Sequence, residues 1–169
     1  MSGAWIRGAL AAAFVLVAAV ALLAVRDNER VLAEGRIVLA ELAPVDPRSL
    51  MQGDYMALRY AVDAELMASL PRTPAPPPDY AHLAVDAAGR ARFAGTGERL
   101  PSAPDQVAMR IRRRDGGYSI GPNGFFFQEG SAERFAGARW GEFRVDAAGK
   151  ALLTYLRDEQ LQRLGEIRR

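Results

Sequence analysis

Residues 8–25 read GALAAAFVLVAAVALLAV, 18 consecutive positions without a charge, Asn, Gln, Ser or Pro. As a helix the run spans roughly 27 Å, and residues 4–6 bring it to the thickness of a bilayer core. Nine of the 18 are Leu, Val or Phe, each favouring insertion by about 0.3–0.6 kcal/mol. Their sum, roughly 3–5 kcal/mol, exceeds the cost of Arg7, which can snorkel to the interface beside Trp5. No amphipathic stripe runs along the segment, so a buried core helix is the poorer reading. Residues 1–30 are thus expected to be a single transmembrane anchor with its flanks.

Orientation follows from those flanks. The N-terminal side carries Arg7 and the free amine with no acid, whereas Arg26-Asp27-Asn28-Glu29-Arg30 is neutral overall. The positive-inside rule places the N-terminus in the cytoplasm and the remainder on the periplasmic or other extracytoplasmic side of the inner (cytoplasmic) membrane. Cleavage as a signal peptide is the rival, because Ala19-Val20-Ala21 has the small-x-small pattern. The apolar run continues through Leu22-Leu23-Ala24-Val25 with no polar region before the cut, which favours a retained anchor. Either way the domain is exported.

The chain has 169 residues and no cysteine. The part beyond the anchor is enough for one domain with a core of its own, without disulfide support. Net charge is +2, and Arg7 contributes one of these charges. That balance argues against nucleic acid as a partner. Lys150 is the only lysine.

Beyond the anchor the pattern is α+β and mostly β: one small domain of short antiparallel strands and hairpins over residues 35–157, then a charged tail over 158–169. The anchor helix is expected to run on through residues 27–33 and stop at Gly35. Residues 36–42 read as a strand. Residues 55–62 alternate, with Met56, Leu58, Tyr60 and Val62 on one face, and so read as another. Residues 63–70 suit a short helix, and the five prolines in 71–79 suit an extended loop. Hairpins are expected from 80–86 with 90–94, and from 106–113 with 118–120. Next come an apolar segment at 125–128, a short helix at 131–138 capped by Ser131, and strands at 142–146 and 150–155. Val85-Asp86-Ala87-Ala88-Gly89-Arg90-Ala91 recurs as Val145-Asp146-Ala147-Ala148-Gly149-Lys150-Ala151. Each is a three-residue hairpin loop with a left-handed glycine. With no repeat visible outside the turn, reuse of a good turn is preferred to duplication.

Gly53-Asp54-Tyr55-Met56-Ala57-Leu58-Arg59-Tyr60 carries G-D-Y-x-x-L-x-Y in full, behind a Val45-Asp46-Pro47-Arg48 lead-in. With Phe126-Phe127-Gln128-Glu129-Gly130 as a second matching stretch, the chain resembles the GDYXXLXY family of membrane-anchored bacterial proteins. The resemblance implies an N-terminal membrane helix, one small domain of uncharacterised activity, and a multi-pass membrane protein as companion. Relatives commonly carry a basic residue where Gln52 stands, so no essential charge is expected there. Gly53, Asp54, Tyr55, Leu58, Tyr60, Glu129 and Gly130 are the candidate interaction residues.

Catalytic chemistry finds little support. The loop from Ser49 to Tyr55 resembles that of signal-peptidase-like serine proteases, but such an enzyme needs a neutral lysine and arginine cannot replace it. His82 is the lone histidine, without cysteines or a second histidine for a soft metal site. Residues 121–124 form a turn rather than a phosphate-binding loop, and no cofactor is expected. Arg110, Arg112 and Arg114 alternate, which fits the solvent side of an edge strand or a contact with lipid phosphates. Two functions remain: an accessory module for a partner membrane protein, anchored in the lipid bilayer, or an envelope hydrolase or ligand binder using carboxylates near Asp54 and Glu129.

Overall fold

The computed structural model describes residues 3–43, 51–52, 55–70, 77–114 and 116–165. Gly53 and Asp54, together with Ser49, lie outside the described residues. The chain opens with helix α1 (Gly3–Glu34), followed by strands β1 (Arg36–Glu41), β2 (Met51–Gln52) and β3 (Tyr55–Ala57) and helix α2 (Ala61–Ser69). Strands β4 (Tyr80–Val85), β5 (Ala91–Gly97), β6 (Gln106–Arg110), β7 (Arg112–Arg114), β8 (Gly117–Ser119) and β9 (Gly124–Phe126) come next. A 3₁₀ turn (Ala132–Phe135) precedes β10 (Trp140–Val145) and β11 (Ala151–Arg157).

α1 is long and apolar enough to cross a membrane, and none of its most apolar window is buried against the domain. Past that window the helix docks. Val31 is 1% exposed, and Lys150 Nζ reaches Asp27 Oδ2 at 2.5 Å. The helix ends at Gly35, where a Cβ would lie 2.4 Å from Val31 O and 3.0 Å from Val145 N. Only glycine fits so close an approach. Arg144 Nη1 then donates to Gly35 O at 3.0 Å, so α1 and the domain are joined by packing as well as by chain.

Two three-stranded antiparallel sheets, ordered β1-β10-β11 and β5-β4-β6, form the body of the domain. Val38, Ala40, Phe143, Val145 and Leu156 from one meet Ala81, Leu83, Val107 and Met109 from the other in a single buried cluster. Val62 and Leu66, four apart on α2, join that cluster. Burying each of the larger side chains contributes about 1.5–3 kcal/mol.

The echo between the two turns extends well beyond them. Val85 pairs with Ala91, Leu83 with Phe93 and Tyr80 with Gly97; Val145 pairs with Ala151, Phe143 with Leu153 and Trp140 with Arg157. Every partner in the second hairpin therefore stands 60 positions after its counterpart in the first. The register shift also recurs, between His82 and Leu83 and between Glu142 and Phe143. Gly89 and Gly149 both take positive φ, 85° and 77°. Each turn bonds the outer strand of the opposite sheet: Leu39 N–H donates to Gly89 O at 2.8 Å and Arg110 N–H to Gly149 O at 2.9 Å. The two hairpins thus match in pairing and bulge beyond the turn, although their side chains differ there.

Several sequence expectations shift. The strand from residue 55 ends at Ala57, and α2 begins at Ala61 rather than 63. Met56, Leu58, Tyr60 and Val62 are nevertheless all buried. Tyr60 remains extended (φ −109°, ψ 138°), which preserves the period-2 alternation up to the first helical turn. The 106–113 strand breaks at Ile111, whose N–H donates to Asp79 O at 3.0 Å. β6 consequently pairs with β4, and β7 with β8. Ser131 makes no side-chain cap, and the helix expected there shortens to the 3₁₀ turn. After Arg157 the segment read as a tail turns back through residue 165, with Leu164 N–H donating to Leu156 O at 2.8 Å.

Candidate functional site

The motif segment is organised around the loop at residues 121–124. Leu58 N–H donates to Asn123 O at 2.7 Å, Tyr60 Oη to Pro122 O at 3.0 Å, and Tyr55 Oη to Asn123 O at 3.2 Å. Both tyrosine rings lie against glycine backbone. A Cβ on Gly121 would meet the Tyr60 ring at 2.8 Å, and one on Gly124 would meet the Tyr55 ring at 2.0 Å. The two tyrosines of G-D-Y-x-x-L-x-Y therefore grip a Gly-Pro-Asn-Gly loop. In the sequence that loop reads only as a turn, and the spacing of its two glycines is the available signal.

Leu58 and Tyr60 are core residues, 4% and 2% exposed. Burial pushes the Tyr60 phenol well above its usual range, so it stays neutral as a hydrogen-bond donor. Tyr55 is half-buried and its ring lies 5.3 Å from that of Phe126, its partner in β9. This contact joins the two motif stretches. Phe126 itself is 77% exposed. Glu129 and Gly130 are exposed, and Gly130 takes φ 75° in a turn.

An open cleft of ≈ 1140 Å³ lies between the motif segment, α2 and the β7–β8 hairpin. Tyr55, Leu58 and Tyr60 contribute to its wall, as do Arg59, Asp63 and Arg112–Arg114, whereas Glu129 does not. Asp63 Oδ2 accepts from the Ser119 hydroxyl at 2.7 Å and Oδ1 from Ile120 N–H at 3.1 Å. Burial raises its carboxyl above the usual aspartate range, against the opposite pull of those two bonds and of Arg114. The arginine row is braced internally. Arg110 Nε donates to Ala148 O at 3.2 Å and Arg112 Nη2 to Ala151 O at 3.2 Å, while Arg114 Nη2 bonds Gly121 O. Because the strand breaks at Ile111, the three do not form one solvent-facing row.

A second polar cluster is structural. The Glu142 side chain is fully buried and receives Arg157 Nη2 at 2.6 Å and Arg163 Nη2 at 2.9 Å. Burial alone would raise its carboxyl; the bonds from Arg163 and Arg157 outweigh that and hold it below the ordinary value of 4.5. Nothing in the sequence marks Glu142, which looks like any strand glutamate. Lys150, the only lysine, is ion-paired with Asp27 of α1. His82 Nε2–H donates to Arg99 O at 2.8 Å. Among the described residues no group of three or more His, Asp or Glu side chains is placed to hold a metal ion.

A family model described as GDYXXLXY protein matches residues 17–156. No curated protein and no solved structure matches the chain.

Proposed function

The chain belongs to the GDYXXLXY family, and we propose that it is an accessory module, anchored in the inner membrane by α1, that binds a partner membrane protein on the extracytoplasmic side. The observation carrying this reading is the treatment of the family motif. Its tyrosines and Leu58 are spent on packing and on backbone carbonyls, while Phe126 beside them is left 77% exposed. A rigid scaffold that presents an aromatic side chain suits contact better than proton transfer. The orientation rests on Arg7 before the apolar run and the neutral flank after it. The alternative hydrolase gains no support from Glu129, which stands on an exposed turn away from the cleft.

The test is purification of the tagged full-length protein from its native membranes in mild detergent. A multi-pass membrane protein is expected to accompany it in stoichiometric amount. A solitary protein from repeated preparations overturns the proposal.

A further inference from the structure

We infer that the cleft beside the β7–β8 hairpin is the docking site for an extended acidic segment of the partner membrane protein, a step that rests on the accessory role. Among the described lining residues, Arg59, Arg112, Arg113 and Arg114 stand against a single acid, Asp63. Both Asp63 oxygens accept bonds from Ser119 and Ile120, and its single carboxylate offsets at most one of the four cations. Arg112 and Arg114 each give one N–H to a carbonyl, which fixes the guanidinium while other donors stay available. Arg59 and Arg113 are exposed.

The occupant is read from shape and chemistry. At ≈ 1140 Å³ and open, the cleft is above the roughly 300–1,000 Å³ common for small-molecule pockets. Among the described residues β7 pairs only with β8, leaving an edge for main-chain hydrogen bonds from an added strand. Met67, 42% exposed, supplies an apolar wall, and Phe126 meets the ring of Tyr55, which lines the cleft. Carboxylates alternating with apolar side chains match that surface. A lipid headgroup matches it less well, because no α1 residue lines the cleft; the hollow touching α1, of ≈ 670 Å³, is a different one lined by Arg30, Glu34 and Leu100.

The experiment uses full-length protein in uncharged detergent and a fluorescein-labelled peptide of alternating glutamate and valine, read by anisotropy. The peptide is expected to bind, while its lysine–valine counterpart does not. The double variant Arg59→Glu, Arg113→Glu is expected to weaken binding by roughly tenfold or more. Both positions are exposed, and circular dichroism checks that the variant folds. Equal binding of the two peptides, or no effect of the variant, overturns the inference. So does a variant that loses phosphatidylglycerol vesicles but keeps the peptide, which assigns the cleft to lipid phosphate. In native membranes, a photo-crosslinker replacing Phe126 should mark an acidic stretch of the partner. Crosslinks from α1 but none from position 126 leave the accessory role standing and remove the cleft from it. A protein that purifies alone defeats the accessory role itself, while the peptide assay still judges the cleft.

Discussion

The hairpins β4–β5 and β10–β11 have the same turn, register and bulge, yet opposite chemistry at the bulge. In the first, His82 gives one hydrogen bond to Arg99 O and faces Gly97, where an added Cβ would lie 2.8 Å from the ring. In the second, Glu142 is buried between Arg157 and Arg163. Both side chains reach the segment that comes after the second strand of their hairpin. Only the second makes that reach with charge, and it thereby ties residues 158–165 to the sheet. A shared backbone thus sets where a side chain points, and the residue type decides whether it closes a turn or recruits a chain end.

Removing the charge should separate the hairpins most clearly. Glu142→Ala is expected to cost about 3 kcal/mol, the low end for breaking a buried pair, because Arg157 and Arg163 keep 19% and 30% exposure. His82→Ala should cost about 1 kcal/mol, one hydrogen bond. Urea unfolding of the full-length protein in detergent, followed by tryptophan fluorescence, compares them; equal costs would mean the triad adds nothing. The pH dependence has a definite sign. A carboxyl held below its ordinary value of 4.5 contributes stability that is fully present above that value and is lost as pH falls through the lowered one. Acidification below about pH 4.5 should therefore narrow the gap between wild type and Glu142→Gln.

The turn glycines provide a smaller contrast. Left-handed backbone makes both Gly89→Ala and Gly149→Ala unfavourable by about 1–2 kcal/mol. At Gly149 the new Cβ would also lie 2.8 Å from the Tyr80 ring, adding roughly 1 kcal/mol. At Gly89 the nearest atom is 3.7 Å away, an ordinary contact. Identical unfolding midpoints for the two variants would show that Tyr80 yields freely.

The smallest effect on stability is expected where the two turns diverge in their last basic residue. Arg90 pairs with Asp86 of its own turn, whereas Lys150 pairs with Asp27 of α1. Neither Arg90→Ala nor Lys150→Ala should move the unfolding midpoint measurably, since both pairs are exposed. Lys150→Ala should broaden the spin-label distance distribution between α1 and β11, and Arg90→Ala should not. An unchanged distribution would leave Val31 and the Arg144–Gly35 bond as the only fastening that matters.

Local patterns were legible wherever one physical rule dominated. The apolar run of residues 8–25 marked a helix long enough to cross a membrane, because only length and composition enter. Alternation marked Met56, Leu58, Tyr60 and Val62 as inward-facing, although the strand itself ended at Ala57. Gly89 and Gly149 marked their turns, and the structure adds the same bonds at both, with the Asp86 and Asp146 carboxylates accepting the N–H groups two and four residues on. The interaction candidates were legible as a motif but not as a site. Nothing in the string Gly53 to Tyr60 says that residues more than sixty positions away will supply the loop the tyrosines grip.

The sequence by itself determined a membrane-length helix, a β-rich domain behind it, the two glycine turns and membership of a family, because these depend on composition, short periods and fixed motifs. Only the tertiary structure decided the rest. It extended the repeated turns into two matched hairpins, buried Glu142 between arginines, seated Tyr55 and Tyr60 on Gly124 and Gly121, and gathered Arg59 with Arg112–Arg114 around one cleft. Each of these depends on register between strands distant in sequence, and register is set by how whole faces pack rather than by any single segment.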